Sequence, residues 1–119
     1  MDKVLNTDFG LEMTGDDMEL YGDLISAFLS APVLEKDELL KLSKSENPAE
    51  KEKAAKAVHL LKGSSLQIGA ERLGKAAMHM ENVLREKERG DLDSLCASLY
   101  DEYEDAVGEI KSFLPKTRQ

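Results

Sequence analysis

The groups in this 119-residue sequence that could do chemistry are two histidines, one cysteine, 16 basic and 24 acidic side chains. Of these, His59 has the most suggestive company. On a helix turning about 100° per residue, Ala54, Ala57, Leu61 and Ile68 fall opposite His59, with Val58 and Ser65 on the flank of that apolar stripe, so its imidazole should face solvent. Around it fall Glu52, Lys56, Lys62, Gly63 and Leu66, with Leu60 and Gln67 farther round. Two of these choices are unfavourable in a purely structural helix. A mid-helix glycine costs about 1 kcal/mol relative to alanine, and Leu60 and Leu66 put apolar surface in water. Both make sense if the face takes up a phosphoryl group. Imidazole is a nucleophile near neutral pH. Lys56 at i−3 and Lys62 at i+3 could neutralise the phosphate oxygens, where positioning and electrostatics do most of the work. Gly63 would leave room for a bulky partner to approach, Leu60, Leu66 and Gln67 would be its docking surface, and Ser64 or Ser65 could add a hydrogen bond.

The bland alternative is that His59 is one more exposed histidine on an amphipathic helix, which describes most surface histidines. The other candidates are weaker still. His79 adjoins the apolar Met80 and reads as the edge of a core stripe. Helical bundles that hold carboxylate-bridged metals use Glu-x-x-His pairs, but the residues three before His59 and His79 are Lys56 and Ala76, so no metal site is expected. Cys96 is alone, which excludes an intrachain disulfide and a cysteine-based zinc site, and it reads as a small buried residue. No glycine-rich phosphate loop, kinase signature or nucleophile elbow occurs. The runs EKEKAAK and REKER read as solvated helix faces, with Glu52 and Lys56 an i,i+4 pair.

The elements that must position His59 are helical. Asp16 with Glu19 resembles a capping box opening a helix over about 17–30 through Tyr21, Leu24, Ile25 and Phe28. Pro32 marks either a kink or the first turn of a further segment through Val33, Leu39, Leu40 and Leu42. Asn47, Pro48 and Glu50 supply a cap, a first-turn proline and an acidic N3 residue, which predict a helix from 48 to about 68 closed by Gly69. Leu73, Ala76, Ala77, Met80, Val83 and Leu84 carry a third helix toward Gly90, with Arg85, Lys87 and Arg89 near its negative end. A long amphipathic helix runs from Leu92 until Pro115 breaks it. Short connections imply antiparallel neighbours. The expectation is therefore an all-α chain, an up-down antiparallel four-helix bundle over 16–115, with a short N-terminal helix or turn in 1–15 covering one end, the whole of 1–119 forming one domain.

Composition narrows the partners. A net charge of −8 repels nucleic-acid backbones and anionic lipid heads. No apolar run reaches the ~20 residues needed to span a bilayer, and the N-terminus lacks the basic and apolar regions of a signal peptide, so no membrane association and a cytoplasmic location are expected. Lys53, Lys56, Lys62, Arg72 and Lys75 could leave the His59 end less negative than the rest and orient an acidic partner.

The stretch HLLKGSSLQIGA, residues 59–70, resembles the signature of histidine-containing phosphotransfer (HPt) domains, a His-x-Leu-Lys-Gly-Ser-Ser run followed by Ile or Leu, Gly and Ala. The similarity continues to Leu73, Met80 and Glu81, with Met80 in place of the more usual leucine, and upstream to GLEMTGDDMELYGDLISAF, so it covers nearly the whole chain. The resemblance implies a phosphorelay intermediate in which His59 is phosphorylated by a receiver-domain phospho-aspartate and passes the group to another receiver aspartate. It implies further that Lys62 contacts the phosphoryl group, that Gly63 clears space, that Ser64 supports the site, and that Gly69 and Ala70 shape the turn. The implied partners are response-regulator receiver domains and a hybrid sensor histidine kinase. The implied cofactors are none on this chain, the catalytic Mg2+ belonging to the receiver. Such a domain is a phosphoacceptor and donor rather than an enzyme with its own ATP site, and the exposed acceptor face over a closed core points to a monomer. The rival reading is an interaction module that docks receivers through Leu60 and Leu66 without being phosphorylated. The initiating methionine and complete caps lean toward a free-standing chain over a piece of a hybrid kinase.

Overall fold

The structure is a computed structural model that describes residues 1–117; residues 118 and 119, the end of the expected single domain, lie outside the described residues. It is all-helical, with α1 (Thr7–Met13), α2 (Met18–Ser30), α3 (Lys36–Ser43), α4 (Pro48–Ile68), α5 (Glu71–Leu84) and α6 (Leu92–Thr117), and no strand occurs among the described residues.

Helix α4 begins and ends where its sequence predicts. The Asn47 side chain accepts from the Ala49 N–H and Pro48 fills the first turn, a position where a missing N–H costs nothing. Glu50 does not complete a capping box; its carboxylate accepts from the Ser45 hydroxyl. Gly69 ends the helix at φ 89, in the left-handed region where glycine is not strained. A Cβ there would also collide with the Asn6 carbonyl, because the Asn6 N–H donates to the Gly69 oxygen at 2.7 Å. The N-terminal segment thus lies over the α4–α5 turn, where Asn6 also caps α1 through the Phe9 N–H and donates to Glu71.

Other boundaries differ from the sequence expectation. Asp17, not Asp16, caps α2 by accepting from the Leu20 N–H, and Asp16 itself sits at φ 62, a turn conformation incompatible with the expected box. Pro32 neither kinks a helix nor starts one. It lies in an extended link between α2 and α3. Helix α5 stops at Leu84, six residues before Gly90, with Arg85 as its C-cap and Glu86 at φ 61, so Lys87 and Arg89 lie beyond the helix rather than in its last turn. Pro115 stands inside the final turn of α6, where it forfeits one backbone bond to the preceding turn without ending the helix.

Side-chain register sets the directions of the packed helices. Leu66 lies over Gly74, His59 bonds Glu81 and Glu52 bonds Arg85, so α4 and α5 run antiparallel from the turn at Gly69. Tyr21 meets Phe113 edge-on with centroids 5.7 Å apart, and Phe28 meets Tyr103 at 6.0 Å, so α2 and α6 are antiparallel too. The core between α2, α4, α5 and α6 is filled by Tyr21, Ile25, Val58, Leu73, Met80 and Leu99 among others, all essentially inaccessible. Met80, the position where the resemblance expects leucine, packs fully inside, as a volume-conserving swap should. The buried Tyr21 hydroxyl donates to the Ile68 carbonyl at 2.7 Å, tying α2 to the end of the helix that carries His59. Cys96 is fully buried in α6. Helix α3 packs on α4 and α6; it is the further segment through Leu39, Leu40 and Leu42 that one of the two readings of Pro32 allowed.

Candidate functional site

The core stripe of α4 is Ala54, Ala55, Val58, Ser65 and Ile68, rotated from the predicted one: Ala57 and Leu61 are only half-buried and Ala55 is buried. Helix α5 covers the Ala55 and Lys62 side of α4, which leaves His59 at the border of the exposed face rather than at its centre. Its side chain is 58% exposed.

At that border the ring meets Glu81 of α5. His59 Nδ1 lies 2.9 Å from Glu81 Oε2, Lys62 Nζ donates to Oε1 at 2.7 Å, and Arg85 Nε donates to Oε2 at 3.1 Å. Glu81 is 6% exposed, and a glutamate is rarely so buried unless paired. Burial pushes its carboxyl upward, but the hydrogen bonds from Lys62, Arg85 and His59 outweigh that and lower it from 4.5 to about 2. Glu81 is therefore ionised at neutral pH, and an ionised carboxylate only accepts. The proton of the 2.9 Å contact must then sit on Nδ1 of His59. In the neutral ring this leaves the lone pair on Nε2, away from Glu81, as the nucleophile.

The remaining predicted residues fall as follows. Gly63, one turn after His59, is exposed, and a Cβ added there would meet nothing within 4 Å. Lys56 and Gln67 are exposed on the same helix. Ser64 is exposed, and its hydroxyl donates to the Leu60 carbonyl at 2.6 Å; Ser65 is buried and donates to the Leu61 carbonyl at 2.6 Å. Both serines spend their proton on their own helix. Leu60 is 71% exposed and Leu66 43%, but they lie apart in environment: Leu66 seats in the notch left by Gly74, whereas Leu60 edges an apolar cleft of about 450 Å3 whose far wall is Pro32, Val33 and Leu34 of the α2–α3 link.

Three charge expectations are corrected. Glu52 pairs with Arg85 at 3.2 Å rather than with Lys56, because the α5 end brings a guanidinium closer than the next turn of α4. Arg72 and Lys75 pair with Glu102 and Asp2, so of the basic residues expected around His59 only Lys53 and Lys56 are shown without an acidic partner. His79 does not edge the core; it is exposed, with Nε2 2.9 Å from Glu88. Among the described residues no cluster of three or more metal-ligating side chains occurs, and no helix is long and apolar enough to cross a membrane.

Glu81 and Arg85 were not singled out as site residues from the sequence. The sign of Glu81 was there: it continues the buried stripe of Gly74 and Ala77 toward Leu84, where a carboxylate needs partners. Arg85 gave no such sign, since REKER reads as a helix end.

Comparison with protein families gives a match to the Hpt domain over residues 12–113. No curated protein and no solved structure matches.

Proposed function

The chain belongs to the Hpt domain family, the histidine phosphotransfer modules of two-component signalling, and on that footing we propose that His59 accepts a phosphoryl group from a receiver-domain phospho-aspartate and donates it to a second receiver aspartate. The observation that carries this reading is the ionised Glu81 on Nδ1, which leaves Nε2 as the free nucleophile beside the open space at Gly63. In the forward step the Nε2 lone pair forms the N–P bond as the P–O bond to the receiver aspartate breaks, and that aspartate leaves as a carboxylate. The ring becomes a phospho-imidazolium that keeps its Nδ1 proton, and Glu81 faces the new positive charge at hydrogen-bond distance. A fixed counter-charge aimed at developing charge is the strongest aid a static site can give. The reverse step regenerates the neutral ring.

Lys62 and Lys56 take the phosphate oxygens, Gly63 clears the approach, and Leu60, Leu66 and Gln67 meet the partner. Ser64 supports the helix backbone, and its oxygen can still accept. The receiver brings Mg2+ and most of the catalysis, so the chain is a substrate and donor without its own ATP site. We read α2, α4, α5 and α6 as an up-down four-helix bundle, with α1 over one end and α3 added on the side, acting as a monomeric cytoplasmic domain with a hybrid sensor histidine kinase upstream.

The test is incubation with a panel of phosphorylated receiver domains. Acid-labile, base-stable label should appear on the wild type and be absent from His59→Gln. No transfer from any receiver, or equal transfer to both proteins, would reject the phosphorelay reading and leave receiver docking without phosphorylation.

A further inference from the structure

Glu81 holds three donors, and they do not have equal prospects once chemistry begins. Lys62 Nζ sits on Oε1 at 2.7 Å, one turn from His59 on the same helix, and its ammonium has further protons to offer. A phosphoryl group on Nε2 brings about two negative charges and competes with Glu81 for it. Arg85 is placed otherwise. It is the C-cap of α5, its Nε donates to Glu81 Oε2 at 3.1 Å, and its Nη1 reaches Glu52 at 3.2 Å. Glu52 lies about two turns before His59 on α4, at the opposite end of the exposed face from Gly63. The planar guanidinium is thus stretched between two carboxylates, a span that a lysine cannot reproduce.

We propose that Arg85 is the positioning residue that keeps the Glu81 carboxylate on His59 Nδ1 when Lys62 turns to the phosphoryl group. The inference rests on the phosphotransfer reading for its purpose, but its geometry does not. Lys62 and Arg85 hold different oxygens of one carboxylate, so either alone can fix it in the resting state. During transfer only Arg85 remains fully engaged. Arg85 touches no reacting atom and acts through Glu81.

The experiment compares wild type, Arg85→Met, Lys62→Met and the double variant by NMR of the His59 ring nitrogens at a pH where the ring is neutral, and by single-turnover labelling from phosphorylated receivers and from phosphoramidate as a small donor. Each single variant should retain the Nδ1–H tautomer, and the double variant should show a mixture. Arg85→Met should slow transfer about two- to fivefold, the upper part of the range of a partly exposed charge pair, at saturating donor and with the half-saturating receiver concentration unchanged. A double variant that keeps a single Nδ1–H tautomer overturns the proposal, as does an Arg85→Met protein that transfers at the wild-type rate. A wild type that takes no label from any donor overturns the phosphotransfer reading instead, and the ring nitrogens then still decide whether Arg85 holds Glu81.

Discussion

Gly63 offers a test in which stability and function should move in opposite directions. It stands inside α4 with open space where a Cβ would be, so Gly63→Ala meets no steric penalty within the chain. Alanine gains about 0.8–1 kcal/mol over glycine in a helix interior. The unfolding entropy for a chain of this length is about 0.25 kcal/mol/K at about 2.1 cal/mol/K per residue, so Tm should rise by about 4 °C. Gly108 is an internal control: it lies inside α6, also exposed and also with nothing within 4 Å of an added Cβ. Gly108→Ala should give the same rise and leave phosphoryl acceptance unchanged. At Gly63 the gain should come with slower transfer, modest for alanine. For Gly63→Leu, crowding an interface by about 1–3 kcal/mol corresponds to about 5- to 150-fold. Calorimetry gives Tm, and single-turnover labelling from a phosphorylated receiver gives the rate. A Gly63→Leu protein that transfers as fast as wild type would refute the clearance argument, and a Gly63→Ala protein that melts lower while Gly108→Ala melts higher would refute the open space.

Two further outcomes follow from Glu81. Glu81→Gln removes a charged acceptor whose hydrogen bonds are worth about 1.5–3 kcal/mol, so transfer should fall about 10- to 150-fold, with the His59 ring nitrogens showing mixed tautomers; unchanged tautomer and rate would show that Nδ1 needs no carboxylate. Acid should reveal the same residue: because its folded value is lowered from 4.5 to about 2, its stabilisation is fully present above 4.5 and is lost as pH falls through 2. The Tm difference between wild type and Glu81→Gln should therefore be constant at neutral pH and shrink over that acid window, and a difference that stays flat down to pH 2 would contradict the assignment.

What could be read from the sequence was what local periodicity and capping control. The Asn47–Pro48 start and Gly69 end of α4 emerged as expected because each depends on a few neighbouring backbone groups, and the outward placement of His59 followed from the 3.6-residue repeat. The wheel erred by a fraction of a turn, exchanging Ala55 for Ala57, because α5 packs over the Ala55 side of α4 while an open cleft is left beside Ala57 and Leu61. The end of α5 was missed because a non-glycine residue, Glu86, takes the left-handed turn, and Pro115 was read as a stop although α6 carries it inside its final turn. The polar network escaped for a different reason. Glu81 and Arg85 reach residues 22 and 33 positions away, and no local pattern states which carboxylate a half-buried arginine or an imidazole will meet.

Every member of that network, Glu52, His59, Lys62, Glu81 and Arg85, belongs to α4, α5 or the residue that ends α5, on either side of one tight turn. The reactive machinery is therefore a single helical hairpin, two consecutive helices joined by the turn at Gly69 and Ala70. The cleft beside Leu60 joins one face of that hairpin, at Ala57, Leu60, Leu61 and Ser64 of α4, to a wall from elsewhere in the chain, the α2–α3 link and Tyr100 of α6. Substitutions can accumulate along Ala31–Leu34 and reshape that wall without disturbing one hydrogen bond around His59, so lineages that inherit this hairpin are free to diverge in what they touch while conserving how they react.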